Sequence, residues 1–210
     1  TEDKSMDFNR QIIIQLIFII CSTSLQARIG EERLTFEKRL NISGGYQYRS
    51  ENVLSNRKRG MPYNKFLDFL PAQSEIRIYY KTLDGRKPLA KDIQPNKMLE
   101  GWDVHVVFVG GKSVLELYRR SSNMNDLEFT ALLKLQAGNS FWEKKEQVKE
   151  GDPPIVSAFS FDYERNDKLM RARKVGSSQL LVFSSQFDIF LAEGYKQSQM
   201  DALPQSIKGF

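Results

Sequence analysis

The chain has 210 residues with a single histidine and a single cysteine, and its 31 lysines and arginines against 26 acids leave a net charge of +5. One cysteine excludes an internal disulfide and a thiolate metal cluster, and one histidine excludes a multi-histidine metal site. The basic excess is modest, and its densest cluster, Arg57-Lys58-Arg59, has no interleaved aromatics for stacking bases, so nucleic acid is not expected as a partner.

Met6 to Arg10 carry one positive charge ahead of an apolar run from Ile12 to Cys21, broken only by Gln15. The run is about ten residues long, short of the roughly 20 that span a bilayer. This predicts an export signal over residues 1–27, cleaved after Ala27 or Ser24, with an uncleaved anchor or a buried helix as the alternatives. Thr1 to Ser5 precede the first methionine and read as an upstream extension. Cys21 falls within the signal behind Ile19 and Ile20, which are too bulky for lipidation. The expected mature chain is periplasmic or secreted and has no membrane span. Losing Glu2, Asp3 and Asp7 against Lys4 and Arg10 raises its net charge by one.

Ile29, Arg33, Phe36 and Leu40 recur at helical spacing, with Glu31 and Glu32 in the opening turn, and predict a short helix ending before Ser43-Gly44-Gly45. Tyr46 to Arg49 alternate as an edge strand would. A basic loop and a helical turn around Phe66 to Leu70 are expected next, then a strand over Glu75 to Thr82 and a turn at Asp84-Gly85. Trp102 to Val109 and Ser113 to Arg119, joined by Gly110-Gly111-Lys112, predict an antiparallel hairpin. Its first strand puts Trp102, Val104, Val106 and Phe108 on one face and Asp103, His105, Val107 and Val109 on the other.

Asn125 as N-cap, Glu128 as its capping-box partner and the Met124/Phe129 pair predict a helix from there to Gly138. A charged, Pro-ended run, Glu143 to Pro154, reads as a linker. Strands over Val156 to Tyr163, Leu169 to Val175 and Leu180 to Ser184 follow, then a short helix over Gln186 to Glu193 and a polar tail. The fold class is α+β, with short helices packed on antiparallel β-meanders. The expected division is 28–143 as a first module, 144–154 as linker and 155–210 as a smaller second segment. Alternatively, the second module begins at 124, or both halves share one sheet.

Several segments together resemble a group of uncharacterised exported bacterial proteins. They are Ile29-Gly30-Glu31 opening a helix, Gly101 to Lys112 turning into Glu116-Leu117-Tyr118, and Met124 to Phe129 leading to Leu132-Leu133 and Ser140-Phe141-Trp142. More distantly they resemble the helix-then-β-meander module of β-lactamase inhibitor protein and of the small lipoprotein in the outer-membrane β-barrel assembly machine. The resemblance implies a binding module that displays a sheet face to protein partners, and no site residue carries over from it.

Catalytic signals are sparse. His105 sits in a valine-rich strand and is expected as a sheet-face histidine with a hydrogen-bond partner, not forming a dyad with Asp103. Asp162 and Glu164 are expected as ion-paired strand acids beside Arg165 and Lys168, and Gly110-Gly111-Lys112-Ser113 as a turn rather than a phosphate loop. No catalytic, cofactor or metal residue is assigned. Tyrosine, tryptophan and arginine dominate protein interfaces. The candidate partner-binding surface is therefore Arg49, Arg57, Lys58, Arg59, Arg77, Tyr79 and Tyr80, with the tyrosines exposed. The leading expectation is a noncatalytic exported protein-binding or envelope scaffold protein. The alternative is a small envelope hydrolase or carbohydrate-binding protein using carboxylates on a sheet face.

Overall fold

A computed structural model describes residues 28–95, 98, 100–145 and 155–204; the expected signal, most of the expected linker and the last residues of the tail lie outside them. Gly30 adopts φ +93°, and the segment around it runs beside the later hairpin, with Gly30 N–H donating to Ser113 O at 2.7 Å. Helix α1 therefore begins at Arg33, later than helical spacing suggests, and runs to Ile42. Strand β1 is only Tyr46–Gln47, and helix α2, Glu51–Lys58, replaces the expected basic loop. A 3-10 turn at Asn64–Phe69, strand β2 at Ser74–Thr82, β3 at Gly101–Val109 and β4 at Lys112–Arg120 follow. Gly110 and Gly111 take φ values of 56° and 81°, the left-handed conformation that a two-residue hairpin turn demands.

Helix α3, Asp126–Ala137, starts with the expected capping box: Glu128 N–H donates to Asn125 Oδ1 at 2.8 Å, and Asn125 N–H to Glu128 Oε2 at 3.0 Å. Strand β5, Trp142–Lys144, takes the first residues of the expected linker into the sheet. Strands β6, Tyr163–Arg165, β7, Met170–Val175, and β8, Gln179–Ser184, precede helix α4, Ser185–Asp201. The expected strand over Val156 to Tyr163 is mostly an irregular crossover. The last helix outruns its expected end because Phe187, Leu191 and Tyr195, four apart, share one face, and Tyr195 meets Phe66 and Phe69 at 5.8 Å.

The strands form one antiparallel sheet in the order β1-β2-β3-β4-β8-β7-β6-β5. Each half is a helix, a short edge strand, a long crossover and three further strands, and the halves join where β4 pairs with β8. One face is covered by α1 and α3, with Phe36, Tyr79, Val104, Val106, Phe129 and Leu133 in its core. The other is covered by the crossovers and α4, with Phe66, Leu117, Phe159, Leu181, Phe183 and Leu191 in its core. Phe159 joins the layers, lying 5.0 Å from the rings of both Phe66 and Phe183. Leu117 and Leu181, paired across the junction, are fully buried. Each such side chain stabilises the fold by about 1.5–3 kcal/mol. Both faces are covered, so the sheet does not present the open face that the resemblance implied.

Candidate functional site

Tyr79 and Tyr80 are 2% and 1% exposed, which overturns their expected place on the surface. Adjacent in a strand, they point to opposite faces, and each face has its own core. Tyr79 packs 5.2 Å from Phe36 and donates to Glu37 Oε1 at 3.0 Å; Tyr80 donates to Glu100 O at 3.0 Å. Arg57, 3% exposed, also turns inward, and its Nη1 lies 3.4 Å from Asp103 Oδ2. Lys58 and Arg59 close α2 on its more exposed side, while Arg49 is exposed and Arg77 half-buried.

Asp103 and His105, two positions apart, do share a face, but their hydrogen bonds run to different partners. Tyr48 donates to Asp103 Oδ1 at 3.3 Å, and the Tyr63 hydroxyl shares a 2.7 Å bond with His105 Nδ1, with the donor set by the tautomer. Complete burial, assisted by the positive charges of Arg119, Arg57 and Lys58, pushes the imidazole down to about 3, so it is neutral at ordinary pH. Burial raises the Asp103 carboxyl against the opposing pull of Arg57 and Arg119. The group ties α2 and the segment before the 3-10 turn to the sheet, and with both acid and imidazole 0% exposed it offers no surface to a substrate.

A second buried polar cluster lies under α3. The Tyr118 hydroxyl donates to Glu116 Oε2, and Gln136 Nε2 donates to both Glu116 Oε2 and Tyr118 Oη at 2.8 Å. Burial raises the Glu116 carboxyl, with Tyr118 opposing. This cluster escaped sequence reasoning because Glu116, between Leu115 and Leu117, reads as the solvent side of a half-exposed strand. Asp162 accepts from Lys174 N–H at 2.8 Å and Glu164 from Arg171 at 3.0 Å, so these acids are spent on local structure. Among the described residues, no group of three or more His, Cys, Asp and Glu could hold a metal ion, and no helix is long and apolar enough to cross a membrane.

Two of the expected surface residues do converge. Arg49 and Arg77 border a groove of about 560 Å³ with Gln47, Tyr48, Leu54, Glu75 and Ile76. The groove exists because β1 leaves the sheet early: it pairs only with Tyr79 and Tyr80, then sends Tyr48 N–H to Ile78 O at 3.0 Å before turning into α2. Alternation along β2 aims the Ile76 N–H and carbonyl at the same outer side as the Ile78 carbonyl. Among the described residues neither Ile76 group has a backbone partner there. Arg77 pairs with Glu75 at 2.8 Å, while the Arg49 head reaches solvent at the rim. The geometry suits an extended backbone laid beside β2.

No family model, curated protein or solved structure matches the chain. The functional reading therefore rests on the chain's own chemistry.

Proposed function

We propose that the chain is a noncatalytic binding protein acting outside the cytoplasm, and that it takes an extended, acidic segment of a partner protein as an added strand on β2. The carrying observation is the groove in which the outward-facing backbone of Ile76 is unpaired beside Arg49 and Arg77. Strand addition draws affinity from main-chain hydrogen bonds and specificity from flanking side chains, and the exposed guanidinium of Arg49, next to an Arg77 already paired with Glu75 and Glu37, favours a carboxylate on the incoming strand. Export is supported by the short apolar run of residues 12–21 behind Arg10. The noncatalytic reading is supported by the lone histidine's complete burial and by the separation of Asp103 and Glu116 onto opposite sheet faces.

The test is photo-crosslinking from a reactive residue at position 49 in an envelope extract, with cross-links mapped by mass spectrometry and affinity measured on the recovered partner. Ile76→Pro removes the outward N–H while sparing the ladder to β3, and should weaken the partner about tenfold or more. Arg49→Glu should weaken it without changing the melting temperature. Cross-links to a helix or scattered surface, or affinity unchanged in Ile76→Pro, would reject strand addition.

A further inference from the structure

On the opposite face of the sheet, helices α1 and α3 diverge over the start of β3 and leave a cleft of about 420 Å³. Its apolar floor and walls come from Leu40, Leu83, Trp102, Val104, Leu132 and Leu135. Leu83 and Leu135 are 40% and 46% exposed, so the greasy wall runs out to the mouth. Arg28, Arg39 and Lys81 also line it. Their charges are unequally compensated. Arg39 is paired with Glu31 at 2.6 Å, and Glu128, the only acid among the described lining residues, is taken by Arg120 at 3.0 Å. Arg28 and Lys81 have no ion-pair partner among the described residues. The Lys81 ammonium is pushed down by burial and then by its neighbours Arg28 and Arg39, as expected where positive charge is in excess.

An apolar trough lined by two cations that have no ion pair among the described residues suits a ligand with an apolar body and one anionic end. The volume lies within the range of small-molecule sites, about 300–1,000 Å³, and is too small for a folded partner element. Among the described residues the nearby acids are engaged, Glu31 and Glu128 by arginines and the buried Glu116, which feels the charges of Arg28 and Arg39, by Tyr118 and Gln136, so a ligand can supply the balancing charge at the mouth. A carboxylate matches the forked guanidinium of Arg28 and gains a charge-assisted bond from Lys81. We infer that the cleft between α1 and α3 binds the carboxylate form of a single-chain fatty acid, with the tail along Trp102, Val104 and Leu132 and the head between Arg28 and Lys81. The site is separate from the β2 groove and does not depend on strand addition.

Calorimetric titration of the whole chain with dodecanoate, dodecanol and dodecyltrimethylammonium tests it. Dodecanoate should bind saturably with one site per chain and about tenfold more tightly than the alcohol, the cation being weakest. Arg28→Gln with Lys81→Gln should bring the acid to the affinity of the alcohol, with an unchanged melting temperature. Leu132→Trp, which fills the trough, should abolish binding of both, whereas Ile76→Pro should alter neither. Absence of saturable dodecanoate binding, equal affinity for acid and alcohol, or a preference surviving in the charge-neutralised variant would each overturn the assignment.

Discussion

The two halves of the sheet repeat one plan, a helix on one face and a crossover on the other, yet they fasten their crossovers differently. In the first half the crossover brings its own cation: Arg57 of α2 reaches Asp103 on β3, and Tyr63 reaches His105. In the second half a carboxylate on α4 clamps bare backbone. Asp188, fully buried, accepts from Ala158 N–H at 2.8 Å and Phe159 N–H at 3.1 Å, and pairs with Arg171 at 2.8 Å. A side-chain anchor lets α2 form its own hydrogen-bonded structure. A backbone clamp holds a segment that has none, satisfying donors that burial would otherwise orphan.

The contrast predicts unequal sensitivity. Asp188→Ala orphans two main-chain donors and leaves Arg171 with only Glu164 and the Val156 carbonyl, and should cost about 4 kcal/mol or more, measured by denaturant unfolding. Arg57→Ala leaves Asp103 buried without its cation and should cost about 3 kcal/mol. Replacing the pair by Arg57→Met with Asp103→Leu should recover part of that loss, since apolar groups of similar size often substitute for a buried ion pair, while the Tyr48 hydroxyl loses its acceptor. The equivalent apolar swap at Asp188 should not recover stability, because no hydrocarbon accepts from an amide. Equal costs and equal rescue in both halves would remove the distinction.

Acidity sharpens it further. The neutral His105, held near 3, has a depressed folded value, so its contribution is complete above the unfolded histidine's pKa of about 6.5 and drains as the pH falls toward 3. Asp103 and Glu116 act in the opposite sense, because raised folded values make protonation favour the native state. Comparing His105→Gln with the parent isolates the imidazole. The parent's stability difference between pH 7 and pH 5 should include about 2 kcal/mol of loss that the variant lacks. The smallest expected effect is Asn125→Ala, which removes the α3 cap at about 1 kcal/mol and leaves the pH response intact.

What could be read from the sequence follows from where each element gets its stability. The β3–β4 hairpin and the start of α3 are specified locally, by Gly110-Gly111 and by Asn125 with Glu128, and both occur where expected. Helix α2 has no side-chain cap bond from Ser50 and buries only Val53 and Arg57, so its helicity depends on the sheet it packs against. The crossover near Phe159 resembles a strand in composition, but Asp188, thirty positions away, draws its donors elsewhere. Tyr79 and Tyr80 were misplaced because alternation in β2 suggests one wet face, whereas α1 covers Tyr79 and the first crossover covers Tyr80. The early departure of β1 from β2, which opens the groove, has no local signal at all.

The pairing of β4 with β8 also sets the order in which the molecule can be built. Leu115 to Arg119 find their partners only at Gln179 to Phe183, so the central seam has to wait until the last strand of the second half has been made. Until then the first half presents β4 as a bare edge flanked by Leu115 and Leu117, the type of surface that captures other nascent strands. Closing the seam is the strand pairing that spans the most sequence in the sheet, and it is the one that covers this edge.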